Sequence, residues 1–323
     1  MGLRAWALAC KANIPHPSGG SQRFWGTNRP SPGTGGIPLP LPGRRCELFV
    51  QLPIQTSEQL AHALADCDLP PLSGIAAQLV AALADEQLDI TYLRDLIAQD
   101  PALTAAVLRW ANSPIYGTAR RVNTLDAAIS ILGLAKVKVR ALAFFITNAM
   151  TPPPGINREV FLESCMHSAG YAMWLAVAAG LNESEAWLTA LLARLGELVI
   201  GRLDAPALDY VESHSQSVQQ RWAMERERVG FDEGQVMAAV ARHWFFPEAI
   251  ADALSKCSQP LGYMVLSPLA AVVHLAMLLA DQPVVDAGSL QALPADVLAA
   301  LNLQVEWMAQ HIPERASFTD SLG

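Results

Sequence analysis

The chain has 323 residues, of which 52% are hydrophobic and 16% charged, and its formal net charge is -8. The apolar share exceeds the usual ~45–50% and the charged share falls well below the usual ~25%, so a large core can form and disorder along the whole length is excluded. The charge is uneven: residues 1–46 carry six Lys or Arg and no acid, leaving -14 on the remainder, and an acidic body argues against non-specific nucleic-acid binding, which needs a basic face.

Residues 1–45 are Pro- and Gly-rich, with neither strand nor helix period. They bury too little apolar surface to offset their ordering entropy, which predicts a disordered tail. From Thr56 the pattern is helical. Thr56-x-x-Gln59 has the form of a capping box. Asp100-Pro101 is an N-cap followed by proline at the first helical position, and Leu103, Val107 and Trp110 then repeat along one face. Leu125, Ala128, Ile129 and Leu132 form the next stripe, opened by Thr124 and closed by Gly133. A long helix is expected from Arg158 to Ala179, ended by Gly180, and Asn182-x-x-Glu185 opens another with a second capping box. Asp232 caps a helix running to about Trp244, and Pro247 opens the following one. The uncharged run Cys257–Ala280 is interrupted by Pro260, Gly262, Pro268 and His274, which leaves a core helix of about 13 residues, short of the ~20 a bilayer needs. Helices near 295–302 and 304–311 finish the chain. The expectation is an all-α bundle of about a dozen helices. The five cysteines are scattered without a Cys-x-x-Cys pair, so buried free thiols in a reducing cytoplasm are expected.

Several segments together resemble a known family. They are Leu69-Pro70-Pro71-Leu72, Asp100-Pro101-Ala102-Leu103-Thr104, Ala111-Asn112-Ser113-Pro114-Ile115-Tyr116-Gly117, and Ala127 to Leu134 with its Gly133. Leu191-Leu192-x-x-Leu195-Gly196, Gly230-Phe231-Asp232 and Trp244-Phe245-Phe246-Pro247 follow. In that order they resemble the HDOD domain, the HD-related output domain of bacterial signalling proteins, over about residues 60–280. The resemblance implies an HD-like helical core over 151–312 with an additional N-terminal helical subdomain over 56–150.

HD phosphohydrolases hold divalent metal with a His, an adjacent His-Asp pair and a distant Asp, and the ion activates water. By the resemblance, the first His falls at His167 and the pair at Ala193-Arg194, while Met277 stands for the distant Asp. Glu233 occupies a position where many members keep a His. Alanine offers no donor atom, arginine is a permanent cation without a lone pair, and a thioether is a poor ligand for hard metals. No metal or cofactor is therefore expected, and no catalytic residue is assigned. His167, Arg194, Glu197 and Glu233 are expected to line one polar interhelical groove. Arg194 could reach solvent, form a bidentate pair with Glu233 first or Glu197 second, or hold an anion.

The expected role is a catalytically inactive cytoplasmic signalling module. It would bind partners in trans, such as a response regulator or a cyclic-dinucleotide enzyme, or a small anionic ligand. The alternatives are a metal-dependent phosphohydrolase, which Ala193-Arg194 opposes, and a nucleic-acid-associated regulator, which rests only on a helix–turn–helix-like texture over 91–112.

Overall fold

The computed structural model describes residues 57–319 apart from 68, 86, 87, 119 and 154. The expected disordered tail and the Thr56 cap lie outside the described residues. The first six helices are α1 (Ser57–Asp66), α2 (Gly74–Leu83), α3 (Ile90–Ala98), α4 (Pro101–Ala111), α5 (Leu125–Leu132) and α6 (Leu134–Ala149). The two longest follow, α7 (Arg158–Ala178) and α8 (Glu183–Leu203), and then α9 (Ala205–His214), α10 (Val218–Arg228), α11 (Glu233–His243), α12 (Glu248–Lys256) and α13 (Pro268–Ala280). Four short helices end the chain: α14 (Ala287–Gln291), α15 (Ala295–Ala300), α16 (Val305–Gln310) and α17 (Ala316–Thr319). No strand occurs among the described residues, so the fold is all-α.

The helix starts follow local chemistry. Asp100 Oδ1 accepts from Leu103 N at 2.8 Å, and Thr124 and Ser267 cap α5 and α13 in the same way. Asn182 takes the N–H groups of both Ser184 and Glu185, so the expected capping box at α8 is one-sided. The reciprocal box stands instead at α11: Asp232 accepts from Gln235 N, and the Gln235 side chain accepts from Asp232 N. Among the described residues seventeen α-helices stand where about a dozen were expected. The surplus includes α14 and α17, of five and four residues, each too short to display a 3.6-residue period.

The turns that carry the family resemblance have mechanical roles here. The Asn112 side chain donates to Leu108 O and Val122 O and accepts from Val122 N, all at 2.7–2.8 Å, and so clamps both ends of the loop around Tyr116-Gly117. Ser113 is buried in that loop, next to the 3-10 turn Pro114–Tyr116. Gly133, at φ 87°, closes α5 and starts α6 in one residue. Trp244 is buried, and Pro247 stands at the N-cap of α12. Trp110 is buried on α4.

α8 is the axis of packing. Every residue from Ala186 to Gly201 is buried, as expected of a helix covered on all sides. α7, α11, α12 and α13 pack on it, and α6 packs on it from the N-terminal helices. The approach of α11 is closest at Gly196, where a Cβ would fall inside the van der Waals envelope of the Glu233 carbonyl. Glycine is required there because two backbones touch. Among the described residues no helix is long and apolar enough to cross a membrane.

Gly196→Ala should therefore cost at least about 2 kcal/mol in urea unfolding, because backbone cannot be repacked as a side chain can. Gly74→Ala, where a Cβ meets nothing within 4 Å, should change stability by less than about 0.5 kcal/mol. Equal effects would show that the α8–α11 contact is loose.

Candidate functional site

The close approach at Gly196 brings together charged side chains from three helices. α8 supplies Arg194 and Glu197, three residues apart and therefore on one face. α11 supplies Glu233 at its first turn, where the helix dipole favours a carboxylate. α10 supplies Arg221, Trp222 and Glu225. Gly230 at φ 92° follows α10, which lets the chain double back so that Asp232 can start α11.

Arg194 Nη1 donates to Glu233 Oε2 at 2.8 Å. Its other terminal nitrogen forms an ion pair with Glu197 Oε2 at 2.9 Å, without the alignment of a hydrogen bond. The expected bidentate pair is thus split between two acids. The reason is that Trp222 Nε1 donates to the second Glu233 oxygen at 2.9 Å, with Arg221 Nη2 3.5 Å away from it. Glu233 N donates to Glu225 Oε2 at 2.9 Å. Beside it Asp232 Oδ2 accepts from Arg226 at 2.7 Å and from Ser258 at 2.6 Å. Arg194, Glu197, Glu225, Asp232 and Glu233 are all buried. Arg194 also faces the Phe161 ring, 5.9 Å from its centroid.

Burial shapes the protonation of this cluster. Desolvation pulls the Arg194 pKa down, but Glu233 and Glu197 outweigh it and raise it, so the side chain stays a cation. Burial pushes the Glu197 carboxyl up to about 7 against the pull of Arg194 and Arg221. Burial and the neighbouring Glu233 charge raise Glu225 well above the carboxylate range. Cys165 abuts the cluster as a neutral thiol, its pKa pushed up to about 12 by burial.

His167 does not join the groove. Phe161 and Cys165 turn toward Arg194, and His167, two residues beyond Cys165, is rotated by about 200° on the helix. Its Nδ1 lies 3.0 Å from the Arg315 Nε donor, and Glu163 is 3.7 Å from its Nε2. Arg315 reaches from before α17 and also donates to Gln282 O and Ala280 O at the end of α13. Burial and the Arg315 charge lower the His167 pKa to about 4, so the ring is neutral. Ala193 and Met277 are buried on α8 and α13. Among the described residues no group of three or more His, Cys, Asp or Glu is placed to hold a metal ion.

A groove of about 650 Å³ opens beside Arg194, lined by Glu197, Asp209 and Glu212. Its acidic rim and the occupied guanidinium oppose the expectation of an anion at Arg194. Sequence reasoning missed Arg221, Trp222, Glu225 and Arg315. The first three lie in the strongly polar α10, whose surface-like composition gives no signal of the face it buries. No local signal points to Arg315, which meets His167 across 148 residues.

The family model of the HDOD domain matches residues 69–260. Among solved structures the chain is similar to a candidate phosphohydrolase from Shewanella amazonensis SB2B, with 23% identity, a TM-score of 0.66, and coverage of 80% of this chain and 94% of that one. It is also similar to an HDOD domain protein of unknown function from Geobacter sulfurreducens, with 23% identity, a TM-score of 0.60, and coverage of 82% and 88%. A candidate signal transduction protein from Marinobacter aquaeolei VT8 matches at 23% identity and a TM-score of 0.65, over 84% of this chain and 60% of that one. At these identities the likeness is one of fold. No protein of curated function matches the chain.

The raised acids give stability a defined pH dependence. A carboxyl whose folded pKa is raised holds more protons folded than unfolded, so stability falls as pH rises from its unfolded value through its folded one. His167, with its lowered pKa, acts in the opposite sense below about 6.5. From about pH 6.5 up through the Glu197 value of about 7 the carboxyls dominate, and unfolding free energy from urea titration should fall. Glu225→Gln should flatten that fall. A wild-type stability that is level or rising over this interval would contradict the protonation scheme.

Proposed function

The chain belongs to the HDOD domain family, and we propose that it is a non-catalytic signal-transduction module that works by binding partner proteins through an HD-like fold without a metal site. The observation that carries this reading is the occupancy of Arg194. By the family pattern it stands for the Asp of the His-Asp pair, and its guanidinium is committed to Glu233 and Glu197 in a buried ion-pair cluster. Ala193 and Met277, assigned to two further ligand positions, bring no hard donor atom. His167 is turned to Arg315. A water-activating ion would have to displace the buried guanidinium of Arg194 from both of its acids and leave that cation without a partner.

Exposed apolar groups support a binding role. Phe245 follows α11 at φ 60°, where glycine is the usual residue, and its side chain is 88% exposed. A left-handed non-glycine residue costs about 1–2 kcal/mol, and the exposed ring returns none of it within the chain. Met264 and Val265 project from the loop between α12 and α13 with 105% and 72% exposure. Such side chains suit a protein contact, which depends on a few apolar anchors. The partners proposed are cytoplasmic signalling proteins acting in trans, a response regulator or a cyclic-dinucleotide enzyme.

Two measurements test this reading together. Purified full-length protein should contain less than stoichiometric Fe, Mn, Zn or Mg and show no chelator-sensitive phosphodiesterase or phosphohydrolase turnover. Pull-down from native lysate should recover a signalling protein, with recovery reduced by Phe245→Ser or Met264→Ser. Chelator-sensitive turnover that survives repurification and is lost in His167→Ala would overturn the proposal.

A further inference from the structure

A second cavity, lined in part by Cys165 beside the Arg194 cluster, has the opposite electrostatic character. It lies where α4 and α6 meet α7 and α8 and encloses about 310 Å³. Its apolar walls include Trp110, Phe144, Met166 and Trp187, and three cations line it: Arg109, Arg140 and Arg158. No acid stands among the described lining residues. In a chain of net charge -8, three guanidiniums around one small cavity without a carboxylate are a local inversion of charge.

The three cations are held differently. Arg158 is pinned by donating to Thr147 O at 3.0 Å and to Asn148 Oδ1 at 3.3 Å. These neutral acceptors fix its position without cancelling its charge. Arg109 stands exposed in the last turn of α4. Arg140 is the telling one. Its Nη1 is buried without a hydrogen-bond partner, and its guanidinium carbon lies 5.8 Å from the centroid of the Trp187 ring. Burial lowers its pKa. A buried N–H donor without an acceptor is rare and calls for an explanation. Arg194 shows how this fold satisfies an internal arginine, with two glutamates, and nothing comparable is placed at Arg140.

We propose that this cavity binds a small organic anion, a phosphate or carboxylate carried on a flat apolar ring. The anionic group would sit on Arg140, with Arg109 and Arg158 beside it, and the ring would lie against the Trp110 and Trp187 walls. Guanidinium groups pair with such anions in charge-assisted, fork-like geometry. The volume stands at the lower end of the ~300–1,000 Å³ range of ligand sites, which fits a molecule of mononucleotide size and excludes two nucleotides joined. Because the walls come from α4 and α6 on one side and α7 and α8 on the other, the ligand would brace the two helix groups against each other. The inference is independent of the protein-partner reading above.

Calorimetry and thermal melting of the full chain test it with adenosine 5′-monophosphate, adenosine, benzoate and inorganic phosphate as probes. The monophosphate or benzoate should bind saturably with one site and raise the melting temperature, more than inorganic phosphate does, while adenosine should do nothing. The better of the two anions identifies phosphate or carboxylate as the group recognised. Arg140→Met should raise the melting temperature of the ligand-free protein by removing a half-buried cation whose Nη1 has no acceptor, and should weaken the anion by about tenfold or more. If that variant does not fold, exposed Arg109→Gln decides, with weaker binding expected. Absence of saturable binding by any anion, or binding unchanged in every folded variant, would overturn the proposal. Phosphate alone binding as well as the ring-bearing anions would overturn the assignment of the aromatic wall.

Discussion

The contact between α8 and the start of α11 is the constraint on which this structure turns. Gly196 lets the Glu233 backbone touch α8, and that approach puts the Glu233 carboxylate 2.8 Å from Arg194. A buried ion pair contributes little net stability against a well-packed apolar alternative, but losing one partner is costly because the other charge stays buried. The pair therefore acts mainly on register. α11 can seat in one place along α8, and Trp222 and Glu225 of α10 are bonded to the side chain and backbone of the same glutamate. Three helices are indexed on one residue.

The same arrangement holds the inner helices of this fold together through a fixed cation. A metal joins helices by drawing carboxylates and imidazoles to one cation, and here the cation is covalent. Arg194 gathers Glu233 from α11 and Glu197 from its own helix, while Arg221 of α10 stands 3.5 Å from Glu233. Burial and the facing Glu233 raise Glu225 well above the carboxylate range, and burial raises Glu197 to about 7.

Much of this was legible in the sequence because it is local. The caps at Asp100, Thr124 and Asp232 stand where Asp and Thr precede apolar stripes, and Pro268 opens a 13-residue core helix as its flanks indicate. Glu233 and Glu197 were named as partners of Arg194 by the register of the family resemblance, with solvent and a bound anion left open beside them. Other features depend on geometry that spacing does not carry. The direction of His167 is set by helical phase against Arg315, which arrives from the far end of the chain. The cation-lined cavity combines Arg109, Arg140 and Arg158 from three helices, each of which reads alone as an ordinary helix-face arginine. Trp222 and Glu225 lie in a strongly polar helix, whose surface-like composition hides the face it buries.

The most direct test of the central role of the α8–α11 ion pair is a double-mutant cycle on Arg194→Met and Glu233→Gln, read by urea unfolding at pH 7. Each single change strands a buried charged partner and should cost about 3–5 kcal/mol. The double variant should recover part of that loss, giving a coupling energy of about 2 kcal/mol or more. Single costs that add to within about 0.5 kcal/mol would show that the two residues do not act as one unit, and would contradict the account.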